Sequence, residues 1–168
     1  RYSMSRKLVV DSSILIVLSR RGALEGYLKQ RKDEGYEVLI PRAIAKELIE
    51  EPKRLAREIR RSSEQLTDKV TKSAEAINEA IENNLIKVET VNYRKYSRMI
   101  DNVRKHLSRL EAKPEHAMKK GDSELIVPII QLYDMFKERI FISTDDKGLL
   151  RTLKSFSDRV EYEILGKL

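Results

Sequence analysis

Five short runs rich in β-branched and aliphatic residues, separated by stretches with helical spacing, constrain this chain more than any other feature. They occupy residues 7–10, 36–40, 85–91, 140–143 and 160–165. Strands that alternate with helices form parallel sheets joined by right-handed crossovers. The expected fold is therefore α/β and three-layered, a five-stranded parallel sheet with helices on both faces. The run at 140–143 is apolar except for Ser143 and reads as a central strand. At 168 residues the chain is long enough for one such domain with an elaboration. That domain is expected to run over 4–168, with Met4 as the natural start after Arg1-Tyr2-Ser3.

The helical stretches carry their own punctuation. Leu24 and Leu28 mark one face of a helix over 22–33, stopped by Gly35. Pro41 reads as the first residue of a helix that buries Ile44 and Leu48, and Pro52 as its end or kink. Residues 53–61 read as a separate basic helical piece. Ser62 and Gln65 then have capping-box spacing before a helix carrying Leu66, Val70, Ile77 and Ile81 and closed by Asn83-Asn84. In 93–110, Tyr96, Ile100, Val103, Leu107 and Leu110 recur at alternating intervals of four and three. Such a seam suits a neighbouring helix of the same chain or a second copy in a homodimer. Asp122 reads as the N-cap of a very apolar helix through Met135, with Pro128 in its first two turns. Residues 53–84 and 93–120 together read as a helical elaboration.

Composition narrows the chemistry. There is no Cys, hence no disulfide framework and no thiolate metal site, so a reducing, cytoplasmic setting is expected. No apolar run is long enough to span a bilayer, and no signal peptide is visible. Residues 52–120 hold 17 Lys or Arg against 10 Asp or Glu, and the rest of the chain holds 17 against 17. The whole excess of +7 thus lies in the middle of the chain. A basic surface beside an acidic pocket fits a protein that grips a polyanion such as RNA. Arg54, Arg57, Arg60 and Arg61 form one candidate nucleic-acid-binding group, and Arg94, Lys95 and Arg98 another. Tyr93 and Tyr96 lie within the second group as stacking candidates, although for Tyr96 simple packing is the better reading.

The acidic pocket is read from four settings. Asp11 ends the first strand and precedes Ser12-Ser13; Glu47 follows Pro41 on a helix; Asp122 sits in Gly-Asp-Ser-Glu; Asp145 and Asp146 follow the fourth strand. In open α/β sheets, ligands bind outside the carboxyl ends of the strands. Carboxylates gathered there repel unless a cation neutralises them, and hard oxygen ligands suit Mg²⁺ or Mn²⁺. Two such ions about 4 Å apart can activate water and stabilise the leaving oxygen of a phosphodiester. Asp11 is the expected primary ligand and Asp122 a second. Glu47 acts directly or through water, and Asp146 or Asp145 completes the site. Ser13 and Thr144 are expected to orient the carboxylates. Glu124, two residues from Asp122, has a supporting place. His106 and His116 lack the spacing of a metal pair and read as surface residues.

Taken in order, Val9-Val10-Asp11-Ser12-Ser13, Pro41 with Glu47, Gly121-Asp122-Ser123-Glu124-Leu125-Ile126 and Ser143-Thr144-Asp145-Asp146-Lys147-Gly148-Leu149 resemble the PIN-domain nucleases. The family includes the ribonucleases of toxin–antitoxin pairs. The resemblance covers roughly 5–50 and 118–166. It implies a five-stranded parallel sheet and an acidic cluster that binds Mg²⁺ or Mn²⁺ to hydrolyse RNA. Carried onto this chain, that cluster is Asp11, Glu47, Asp122 and, by the family's Thr-x-Asp pattern, Asp146. The interval from Glu47 to Asp122 is longer than in compact family toxins, which implies added helices for RNA or a partner rather than a compact toxin; an antitoxin or an RNA-processing protein is the kind of partner the resemblance implies. The alternative is an RNA-binding or scaffold module of RNA processing or ribosome assembly on the same fold. A dehalogenase-type phosphatase would need Asp-x-Asp after the first strand, and a P-loop enzyme a Gly-rich loop with Lys; neither is present.

Overall fold

A computed structural model describes residues 5–59, 64–111 and 120–165; residues 51–59, 64–71, 107, 110, 111 and 120–124 are described by backbone alone. The elements run β1 (Arg6–Val10), α1 (Ser12–Arg20), α2 (Leu24–Asp33), β2 (Tyr36–Pro41), α3 (Arg42–Ile59), α4 (Glu64–Glu82), β3 (Lys87–Glu89), α5 (Tyr93–Glu111), α6 (Lys120–Phe136), β4 (Ile140–Ser143), α7 (Lys147–Ser155) and β5 (Tyr162–Ile164). The five strands form one sheet in the order β3-β2-β1-β4-β5. Every pairing is parallel. The sequence-based fold class is the fold observed.

The order follows from burial. Leu8, Val9 and Val10 are all buried, as are Leu39 and Ile40 on β2 and Ile140 and Ile142 on β4. Strands covered on both faces read as continuous apolar runs, and they take the centre of the sheet. The edge strands β3 and β5 are only half-buried, and each pairs over three residues, shorter than the 85–91 and 160–165 runs. Right-handed crossovers in this order place α1, α2 and α4 on one face and α5, α6 and α7 on the other. The helix contacts agree: α4 packs on α1 and α2, and α5 and α7 pack on α6, while α3 touches both α4 and α6. Ile77 of α4 and Tyr96 and Val103 of α5 belong to the same buried cluster as the sheet. The seam on α5 is thus filled inside the chain at Tyr96 and Val103.

Local chemistry sets the boundaries. Gly35, between α2 and β2, has φ +90°, a conformation open to glycine at little cost. A Cβ there would meet only the Arg6 guanidinium at 3.7 Å, so backbone conformation rather than space demands glycine. Asn84 closes α4 at φ 59°, as asparagine tolerates better than most residues. Three boundaries differ from the sequence reading. Pro41 ends β2 instead of opening the helix, which starts at Arg42. Pro52 lies inside α3, which continues to Ile59 and so absorbs the basic piece expected to stand alone. The helix α6 begins at Lys120, so Asp122 is its third residue, not its N-cap, and Pro128 falls past its second turn. The proposed cap Ser62 lies outside the described residues. Helix α6 buries Leu125, Ile126, Val127, Ile129, Ile130 and Leu132, the pattern of a helix covered on nearly every side.

Candidate functional site

Strand order turns two distant segments into neighbours. Between β1 and β4 the chain direction of the winding reverses, and at such a switch point the loops after the two strands diverge and leave a crevice. Val10 pairs with Ser143, so Asp11 and Thr144 stand level with each other just beyond the strand ends. The Asp11 amide donates to the Ser143 carbonyl at 2.9 Å and fixes this alignment.

Asp11 occupies the N-cap position of α1, but its side chain makes no capping hydrogen bond. Instead the carboxylate reaches across to β4. The Thr144 hydroxyl donates to its Oδ2 at 2.7 Å, and the Ser12 hydroxyl donates to Oδ1 at 3.3 Å. The same Thr144 oxygen accepts the Asp146 amide at 3.0 Å. Asp146 does cap its helix: its Oδ1 accepts the amides of Gly148 at 2.8 Å and Leu149 at 3.2 Å. One buried threonine thus ties the carboxylate ending β1 to the turn that carries Asp146. Ser13 is exposed and makes no such bond; the hydroxyl beside Asp11 is that of Ser12. Asp145 is exposed while Asp146 is half-buried.

The remaining candidates are distributed more widely. Glu47 is exposed on α3, beside the buried Ile44, Ala45 and Leu48. Asp122 and Glu124 are placed by backbone within the first two turns of α6; two positions apart on a helix, they lie roughly 200° around its axis. Among the described residues, no three His, Asp or Glu side chains converge to hold a metal ion. The fit of the site to a divalent cation rests on its donor chemistry. Asp11 and Asp146 offer hard carboxylate oxygens with no competing Cys or His nearby in sequence, and among the described residues no Lys or Arg pairs with Asp11, Asp145 or Asp146. Two carboxylates at this edge without a basic side-chain partner among the described residues suit Mg²⁺ or Mn²⁺.

Of the basic candidates, Arg94, Lys95 and Arg98 are exposed in the first two turns of α5, and Arg54 and Arg57 lie on α3 by backbone. Arg60, Arg61 and His116 lie outside the described residues. Tyr93 is 58% exposed, whereas Tyr96 is buried and donates its hydroxyl to Asp134 Oδ2 at 2.7 Å. His106 is bonded to Ser155 at 2.9 Å, between α5 and α7. Two residues escaped the sequence reading, Arg42 and Arg104, which line a cleft with Pro41 and Tyr93. The signal was present: Tyr93, Ile100 and Arg104 are spaced seven and four, one face of a helix.

An all-parallel sheet in this order, with carboxylates at its switch point, defines a PIN-like α/β domain. The family model for the halobacterial PIN domain matches residues 4–164, nearly the whole chain, and the chain belongs to the PIN-domain family. PIN domains are in general nucleases that use divalent metal ions. No curated protein sequence matches the chain. Among the described residues no helix is long and apolar enough to cross a membrane.

Proposed function

We propose that this chain is a divalent-metal-dependent endoribonuclease. The observation that carries the reading is the turning of Asp11 away from its helix-capping role toward Thr144, with no Lys or Arg paired to it among the described residues. An aspartate at an N-cap ordinarily accepts an amide of its own helix, which Asp11 does not. Asp11 and Asp146 would hold Mg²⁺ or Mn²⁺, with Asp122 and Glu47 completing the ligand set. When bound, the metal supplies a polarised water and charge stabilisation for phosphodiester hydrolysis. The residues of the chain do the positioning. Thr144 fixes the orientation of Asp11, and the two amides at the start of α7 fix Asp146 through one oxygen. Neither His106 nor any Cys is needed. The basic middle of the chain would hold the RNA backbone, with strong salt dependence.

The test is cleavage of RNA and DNA oligonucleotides with Mn²⁺, Mg²⁺ or EDTA, comparing the chain with Asp11→Asn. Metal-dependent RNA cutting that the variant loses is the expected result. Cutting unchanged in Asp11→Asn refutes the site. The basic excess in the middle of the chain would equally serve one second reading, an RNA-binding module. Salt-sensitive RNA binding by both proteins without cutting would select it.

A further inference from the structure

A cleft of about 60 Å³ opens at the same edge of the sheet, lined by Pro41, Val91, Tyr93, Arg104, Val127 and Pro128, with Arg42 at its rim. Its place is fixed by register. Val9 pairs with Leu39, so Asp11 stands level with Pro41 on the adjacent strand. Neighbouring strands are about 4.8 Å apart, so the cleft begins one strand spacing from the Asp11 backbone, on the side away from Thr144.

We infer that this cleft is a nucleotide subsite that takes a base of a single-stranded nucleic acid next to the scissile phosphate. The inference rests on the nuclease reading for its orientation but on separate residues for its chemistry. The floor is apolar: Pro41, Val91, Val127 and Pro128 are buried, and Pro128 has no amide hydrogen to offer. The wall is the exposed ring of Tyr93, available for stacking. Arg42 and Arg104 bring two positive charges to the rim, and among the described residues no carboxylate pairs with either. A flat apolar slot flanked by unpaired guanidinium groups matches an aromatic base attached to phosphate. At about 60 Å³ the cleft is too small to enclose a whole base, so the base would lie across its mouth against Tyr93, and a helix or a strand is excluded.

The loop bearing this surface is held rigid. Gln131 of α6, 5% exposed, accepts the Asn92 amide at 2.7 Å and donates to the Thr90 carbonyl at 2.9 Å. The Asn92 side chain then accepts the Lys95 amide at 3.1 Å and caps α5. Val91 and Tyr93 are therefore set in place before any ligand arrives, which lowers the ordering cost of binding.

The experiment is fluorescence anisotropy in EDTA, where no cutting occurs, with two short labelled single-stranded RNAs. One carries bases and the other is abasic on the same backbone. The chain is expected to prefer the base-bearing strand by about tenfold, the scale of one stacked base. Tyr93→Ala should erase most of that preference and Tyr93→Phe keep it. Arg104→Gln and Arg42→Gln should weaken both strands alike and lower the salt slope by about one each. Tyr93 is exposed, so its variants should melt as the wild type does. A base preference unchanged in Tyr93→Ala, or an equal loss on the abasic strand, overturns the subsite. The two readings separate cleanly: base-dependent binding without metal-dependent cutting refutes the nuclease and keeps the subsite, and cutting with an unaltered base preference in Tyr93→Ala does the reverse.

Discussion

Asp134 on α6 and Asp11 at the end of β1 are both half-buried carboxylates, and the fold surrounds them differently. Asp134 receives the Tyr96 hydroxyl at 2.7 Å and the Arg159 guanidinium at 3.2 and 3.4 Å. Burial pushes its pKa up, but the Tyr96 hydrogen bond and the Arg159 charge together hold it below the usual carboxylate range. Glu37 at the opposite edge of the sheet is treated the same way. Burial again raises its pKa, and Lys7 at 2.6 Å and Lys87 at 3.5 Å outweigh that rise. Asp11 receives two hydroxyls and, among the described residues, no cation. At Asp134 and Glu37 the fold supplies the counter-charge. Where it leaves a carboxylate without one, the counter-charge is expected from outside.

The largest effect tests that contrast at its root. Asp11→Asn should lower metal-dependent RNA cleavage more than about a hundredfold, beyond the loss typical of residues that only support a ligand. Its thermal midpoint should stay level or rise in metal-free buffer, because no internal ion pair is lost. Asp134→Ala should behave oppositely. It strands a buried phenol and a guanidinium and should cost about 1–3 kcal/mol, or about 2–4 °C per kcal/mol in a chain of this size, with cleavage retained. Loss of cleavage in a well-folded Asp134→Ala would break the comparison.

Thr144→Val comes next. It removes the donor to Asp11 and the acceptor for the Asp146 amide while keeping the side-chain shape. Cleavage should fall about 10–100-fold, with about 1 kcal/mol of stability lost. Thr144→Ser restores the hydroxyl and should recover most of the activity. Equal cleavage in the two variants would show that the bridge does not orient Asp11.

How much of this was legible in the sequence differs between scaffold and site. The three central strands were readable because burial on both faces leaves near-continuous apolar runs, and edge placement shortens β3 and β5 and leaves polar residues in them. The start of α6 was misplaced because aspartate is favoured both as an N-cap and in the first turn, and composition alone does not separate the two. Pro52 gave a stop signal, but Ile44, Leu48, Leu55 and Ile59 keep helical spacing across it. Each carboxylate could be placed at the end of its element. That Asp11 meets Thr144, 133 residues away, depends on β4 lying beside β1. That Ser12 rather than Ser13 meets Asp11 depends on side-chain direction at the edge of the sheet, which residue types do not encode, whereas Arg104 shared a readable helical face with Tyr93 and Ile100.

The smaller effects lie in pH dependence. The folded pKa of Asp134 is lowered, so its contribution is present above the unfolded value of about 4 and is lost as pH falls through the folded one. Tyr96 is pushed up to about 12 by burial, then by its hydrogen bond to Asp134 and that carboxylate's charge. Its contribution is therefore complete below about pH 10 and is lost as pH rises toward 12. Melting of wild type against Tyr96→Phe should show a difference that is flat between these limits and shrinks at the alkaline end. A difference that grows above pH 10 would reverse the assignment.

The smallest effect separates the two lysines on Glu37. Lys7 lies on central β1 with its side chain 14% exposed, and Lys87 on edge strand β3 at 58%. Solvent screens the second pair far more than the first, and exposed ion pairs contribute about 0–1 kcal/mol. Lys87→Met should therefore change the midpoint little. Lys7→Met leaves the half-buried Glu37 with only the longer, wetter partner and should cost more, up to about 2 kcal/mol. The Lys7 variant should also lose stability less steeply on acidification, since less of the lowered Glu37 pKa remains to be titrated. If Lys87→Met proves the costlier of the two, charge compensation at this edge is not set by burial. The contrast with Asp11 would then have to rest on its switch-point position alone.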